Sequence, residues 1–216
     1  MQMSIGQAIR LTLFGTSHGP EVGAIVEGLP SGIVIDEDAI QKAMDKRKPG
    51  GKYSSKRKES DNVEILSGVE NGKTNGKVCK IRIANNDVKS SDYSFLPHHP
   101  RPGHQDLLMH IKTEGKADFR GGGTSSARLT APIVAVAAIL APLAQKIGLK
   151  IEAHVSSIGT INAQNIQSCP DDWQTEDCIN MRCKDPVAAK SMVQYLDSLR
   201  NELDSVGSKV ELCVSG

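Results

Sequence analysis

Aromatic residues are scarce: the 216-residue chain holds three Phe, three Tyr and one Trp. That scarcity excludes the stacking platforms that single-stranded nucleic acid requires. Excess charge is also missing, with 26 Lys+Arg against 25 Asp+Glu and a net charge of +1. A chain so close to neutral exerts no general pull on nucleic acid or a membrane surface, and any basic site must be local. Cys79, Cys169, Cys178, Cys183 and Cys213 form no C-x-x-C pair, so the usual spacings for zinc or dithiol chemistry are absent. The opening MQMSIGQAIR has no apolar signal core. The longest apolar run, Ala131 to Ala144, is shorter than the roughly 20 residues of a bilayer span. These absences describe a soluble, cytoplasmic protein with reduced thiols, no metal site, no nucleic-acid partner and no membrane. With no repeat visible, residues 1–216 are expected to form one domain.

The pattern that is present mixes strands and helices. Residues 8–14 and 22–28 read as strands around the loop Gly15-Thr16-Ser17-His18-Gly19-Pro20. Residues 36–46 read as a helix with acids at its start, stopped by Pro49-Gly50-Gly51. Strands are expected at 63–66 and 77–84. In the second, Cys79, Ile81 and Ile83 alternate with Lys80 and Arg82, which gives the sheet one wet face. Residues 86–103 read as a long irregular loop. A helix over 125–147, apolar on nearly every side, is expected to lie buried in the domain centre. Strands at 149–155 and 209–214 flank an amphipathic helix at 186–204. The fold class expected is α+β.

Three features carry chemistry. Gly121-Gly122-Gly123-Thr124-Ser125-Ser126 precedes the apolar helix, where free N–H groups and close backbone approach suit a phosphate; an ordinary helix cap has the same appearance. Lys46-Arg47-Lys48, Lys52 and Lys56-Arg57-Lys58 place several cations on one segment, as an anionic small ligand requires or as a solvated surface displays. His18 and His104 sit in glycine-flanked loops, where a group titrating near neutrality can move protons. His98, His99, His110 and His154 read as ordinary surface or hydrogen-bonded residues.

At these segments the chain resembles the chorismate synthases. The likeness runs from about residue 5 to the end, through IGQAIRLTLFGTSHGPEVGAIVEGLPSGI, KRKPGGKYSSKRKESDNVEILSGVENGKTNG, ANNDVKSSDY, HPRPGHQDLLMHIKTEGKADFRGGGTSSARLTA and LRNELDSVGSKVELCVSG. G-x-S-H-G, R-P-G-H-x-D and R-G-G-G-x-S-S-A-R together are highly specific. The resemblance implies a β-α-β sandwich with long helices between antiparallel sheets, and a homotetramer. It also implies conversion of 5-enolpyruvylshikimate 3-phosphate to chorismate and phosphate, a 1,4-elimination requiring reduced FMN, with NADPH a candidate flavin reductant. It gives His18 and His104 acid–base roles, one toward the departing phosphate and one toward the flavin. It puts Thr124, Ser125 and Ser126 at the FMN site, and Arg47 and Lys52 at basic positions linked to phosphate or NADPH. Arg101 and Arg128 are further candidates for anion contact.

The chain departs from the family pattern at Thr16 (usually Glu or Asp), Lys48 and Lys52 (Arg), Gln105 (Ala), Thr124 (Arg) and Leu129 (Glu). The family's C-terminal Lys-Pro-Thr and Gly-Arg-His-Asp-Pro segments are not found. The reading is therefore of an N-terminal portion whose last strand leaves a sheet edge and an apolar face open. A truncated, non-catalytic homologue that binds a ligand or a full-length partner is the alternative.

Overall fold

The structure is a computed structural model that describes residues 3–48, 52–53, 57–118, 120–171 and 173–216. The Pro49-Gly50-Gly51 stop and Lys56 lie outside the described residues. The chain divides into two compact units: residues 1–50 with 55–143, and 51–54 with 144–216.

The first unit is built on strands β1 (Met3–Ile5), β2 (Arg10–Gly15) and β3 (Glu21–Glu27), helix α1 (Glu37–Arg47), and strands β4 (Val63–Ser67), β5 (Val69–Glu70), β6 (Lys73–Thr74) and β7 (Cys79–Ala84). It continues with helix α2 (Asp106–Lys112) and most of α3 (Thr130–Lys146). Five strands form one sheet in the order β1-β2-β3-β7-β4, with every neighbouring pair antiparallel. The alternation in β7 does what its period dictates. Cys79, Ile81 and Ile83 are fully buried, and Ile81 lies between Ala24 of β3 and Ile65 of β4. Burying each such isoleucine contributes about 1.5–3 kcal/mol. Asp36 caps α1 by accepting from the Ala39 N–H, and the helix lays Ile40 and Met44 into the same core.

Helix α3 corrects two expectations. It starts at Thr130, because residues 123–125 and 127–129 form two 3-10 turns in which Ser126 accepts from the Arg128 N–H. Only one of its faces is buried, through Ala131, Pro132, Ala135, Val136 and Ile139, while Ala137 and Pro142 are exposed. Counted with the preceding turn, Ala127–Lys146 is 20 residues long and apolar enough to cross a membrane by length and composition. The packing of its buried face into the sheet core is that of a core helix.

The second unit holds β8 (Lys150–Ile158), β9 (Ile161–Asn162), α4 (Glu176–Met181), α5 (Pro186–Asn201) and β10 (Ser208–Ser215). Its sheet order is β10-β8-β9. Asp185 starts α5 by accepting from the Val187 and Ala188 N–H groups, with Pro186 in the first turn. Ile158, Cys178, Met181, Cys183, Ala189 and Met192 form its core. The other sheet face carries Ile151, Val210, Leu212 and Val214, all exposed, and β10 is an edge strand. All five cysteines are free.

Candidate active site

The loop between β2 and β3 is fastened at Thr16, Ser17, Gly19 and Pro20. Ser17 donates its N–H to the Gly123 carbonyl at 3.2 Å and its hydroxyl to the Arg120 carbonyl at 3.1 Å. Arg57 donates to the Ser17 carbonyl at 2.9 Å and is held by Glu59. Thr16 donates from Oγ1 to Asp118 Oδ2 at 2.9 Å. This accounts for the first family departure: the usual acid at position 16 would face the Asp118 carboxylate, whereas a hydroxyl bonds to it. The Arg120 hydrogen bond holds Asp118 below the usual carboxylate range, and the Thr16 hydroxyl adds to the effect.

His18 lines a cavity of about 330 Å³ together with Ser17, Arg57, Asp87, Lys89, Asp92, Tyr93, Gly121 and Ser126. Gly121 has φ +72°, and a Cβ there would sit 2.6 Å from the imidazole Cδ2 and Nε2. Only glycine lets the backbone pass so close to the ring. The Tyr93 ring meets the imidazole in a T-shaped contact with centroids 4.8 Å apart. Nδ1 of His18 is buried and has no hydrogen-bond partner among the described residues. Burial lowers the His18 pKa below its ordinary 6.5; Arg57 and then Arg120 push the same way, ahead of the opposing Asp118 and Asp92. Among charged neighbours the field at the ring is thus set first by cations, and the ring lines a ligand-sized hollow.

His104 is not among the residues lining this cavity. It is exposed, and its N–H closes a turn onto the Arg101 carbonyl. Its loop nevertheless reaches the same place through Arg101, whose guanidinium stacks over Tyr93 at 5.4 Å and donates to the Gly121 carbonyl at 3.5 Å. Arg101 is clamped by both oxygens of the buried Asp106, whose pKa that bond lowers.

Of the glycine-loop candidates, Ser126 lines the His18 cavity. Ser125 bonds to the Gln105 side chain at 3.2 Å, and Thr124 borders a smaller hollow with Gln105, Asp106 and Asp118. The N–H groups of Ser125 and Arg128 are used within the turns. Arg128 is no anion contact: its side chain is 4% exposed and is paired with the fully buried Asp61 and bonded to Asn85 and the Ala84 carbonyl. Arg47 donates to the other Asp61 oxygen at 2.5 Å. Lys52 belongs to the second unit, where it pairs with Asp197 at 2.7 Å. Leu129, at a usual glutamate position, packs into the core. Among the described residues no three His, Cys, Asp or Glu side chains gather as a metal site. Sequence reasoning singled out neither Tyr93 nor Asn85; a tyrosine or asparagine in an irregular segment carries no local sign of a distant histidine.

A family profile described as chorismate synthase matches residues 9–216. A chorismate synthase of Aeropyrum pernix is 41% identical over 209 residues, covering 96% of this chain and 55% of the relative. Another, of Methanosarcina mazei, is 42% identical over 212 residues, 98% of this chain and 58% of the relative. A solved structure described as a crystal structure of chorismate synthase superposes with a TM-score of 0.70 at 27% identity, over 95% of this chain and 57% of that one. The α+β architecture is therefore that of these structures, and the chain spans a little over half the length of the relatives it matches.

Proposed function

The chain belongs to the chorismate synthase family, and from that premise we propose that its first unit supplies part of an active site for the 1,4-elimination of phosphate from 5-enolpyruvylshikimate 3-phosphate. The observation that carries the proposal is the His18 imidazole, half-buried, with a buried Nδ1 unpartnered among the described residues and under cationic influence, on the wall of a ligand-sized cavity. In the reaction a ring carbon–oxygen bond breaks with its electron pair going to phosphate. A proton leaves from the far end of the 1,4 system, its C–H pair becoming a new double bond as the existing one shifts, so no net oxidation occurs. Reduced FMN, when bound, supplies electron density for breaking that bond.

The protein's own residues do the rest. Arg57 and Lys89 offset the charge of an anionic ligand beside His18. A phosphate dianion there raises the His18 pKa, so binding loads the imidazole with the proton that it passes to the departing phosphate. His104 is assigned the second proton transfer, toward the flavin. Ser126 and its neighbours Thr124 and Ser125 are assigned to the FMN phosphate or ring edge, the Gly121 backbone leaving room for close approach. Arg47 and Lys52, the family's basic positions, would reach an anion only by sharing Asp61 and Asp197 with it.

Flavin binding and turnover with dithionite-reduced FMN and 5-enolpyruvylshikimate 3-phosphate test this reading. The expected result is FMN binding that tightens with substrate, and chorismate formation that falls about 10²–10⁴-fold in His18→Ala. A folded chain that binds FMN no better with the substrate than without it contradicts the reading.

A further inference from the structure

Histidines that move protons are usually aimed by a carboxylate or carbonyl bonded to the second ring nitrogen. Among the described residues His18 has no such partner at Nδ1. The aim of its ring therefore rests on the Tyr93 contact, the close Gly121 backbone and the loop that carries it, and one side chain grips that loop on both sides. Asn85 follows β7, and its own N–H bonds to the Pro20 carbonyl at 2.9 Å. Its side-chain Nδ2 donates to the Thr16 carbonyl at 3.0 Å and to the Gly19 carbonyl at 2.8 Å, bracketing Ser17 and His18. Its Oδ1 accepts from Arg128 Nε at 2.8 Å.

The sense of this amide is dictated by chemistry. A guanidinium only donates, so the amide oxygen must face Arg128; the two carbonyls only accept, so the amide nitrogen must face them. Arg128 is in turn locked by Asp61 and the Ala84 carbonyl. All the hydrogen-bonding capacity of the Asn85 amide protons is spent on the histidine loop.

We infer that Asn85 is a positioning residue for His18, fixing the imidazole through the carbonyls of Thr16 and Gly19 with its own orientation set by Arg128. The inference deepens the proposed function and rests on the proton-transfer role given there to His18. The ring also faces Arg57, Arg120, Asp118, Asp92 and Tyr93, with Asp87 and Lys89 on the cavity wall; Arg57 and the Arg120 carbonyl bond to the loop at Ser17 and Asp118 bonds to it at Thr16.

Asn85→Ala and Asn85→Asp test it on the full chain. The aspartate keeps the acceptor for Arg128 and removes both donors; the alanine excludes added charge as the cause of any change. In both variants the His18 Cε1–H NMR titration is expected to move up toward the ordinary 6.5 as the freed ring gains water. With substrate and reduced FMN, kcat is expected to fall about 10²-fold, the cost of a misplaced group, with KM little changed. In a His18→Ala background, Asn85→Ala is expected to cause no further loss. Folded variants with an unchanged His18 titration overturn the inference. If the unaltered chain shows no turnover, the proposed function suffers while the titration still decides the role of Asn85. If neither variant folds, exchange of the Asn85 side-chain amide protons in the unaltered chain decides: slow exchange of both supports the clamp, and fast exchange of either overturns it.

Discussion

The two units handle buried polarity in opposite ways. In the second, the buried His154 and Asp185 are consumed by structure. His154 accepts the Lys184 N–H at Nδ1 and meets Glu211 at Nε2, while Asp185 takes three backbone N–H groups from Gln164, Val187 and Ala188. In the first unit, the Asp61–Arg128–Asn85 chain is just as saturated, but the loop it holds presents His18 with one nitrogen unpartnered. Saturated networks fix a shape; an unsatisfied buried atom at a cavity wall marks where a ligand completes the structure. The apolar surface differs too. The second unit leaves Ile151, Val210, Leu212 and Val214 open on its sheet, whereas the first packs its long apolar helix on one.

Substitutions break this comparison in a definite order. Arg128→Ala leaves the buried Asp61 with Arg47 as its remaining ion-pair partner among the described residues, and a loss of about 3–5 kcal/mol is expected in urea unfolding. Asp185→Ala removes the α5 cap and should cost about 0.5–2 kcal/mol in the same measurement, without altering the His18 titration. Thr16→Glu sets a second carboxylate against Asp118. Its cost at neutral pH should stay under about 1 kcal/mol, and should vanish as pH falls through the depressed Asp118 pKa and the repulsion is titrated away.

His18 also gives stability a pH dependence of known sign. Its folded pKa lies below the unfolded value of 6.5, so the unfolded chain binds more protons between the two. Stability is full above 6.5 and declines as pH falls through that window. His18→Ala should flatten this part of the unfolding profile.

Much of the fold was legible where the pattern is local. The alternation of Cys79, Ile81 and Ile83 located β7 and its buried face, and Asp36 marked the start of α1. The start of α3 was misjudged because Ser125 and Ser126 resemble caps of a long helix, while Ser126 in fact caps a 3-10 turn. Strand β1 and helices α2 and α4 are too short to show a period, and they were missed. At the site, His18 and the glycines stood out because loop chemistry is visible in sequence. Arg128 read as a ligand contact because its pairing with Asp61 joins positions 67 residues apart, a relation with no local signature. Asn85 and Tyr93 escaped for the same reason: their partners across the loop exist only in the folded chain.

Everything about the site depends on His18 facing an anion. NMR titration of its Cε1–H, alone and with saturating 5-enolpyruvylshikimate 3-phosphate, tests this most directly. The expected midpoint is below 6.5 in the free protein and moves up when the phosphate ester binds. A midpoint at or above 6.5 that does not respond to the ester contradicts the account.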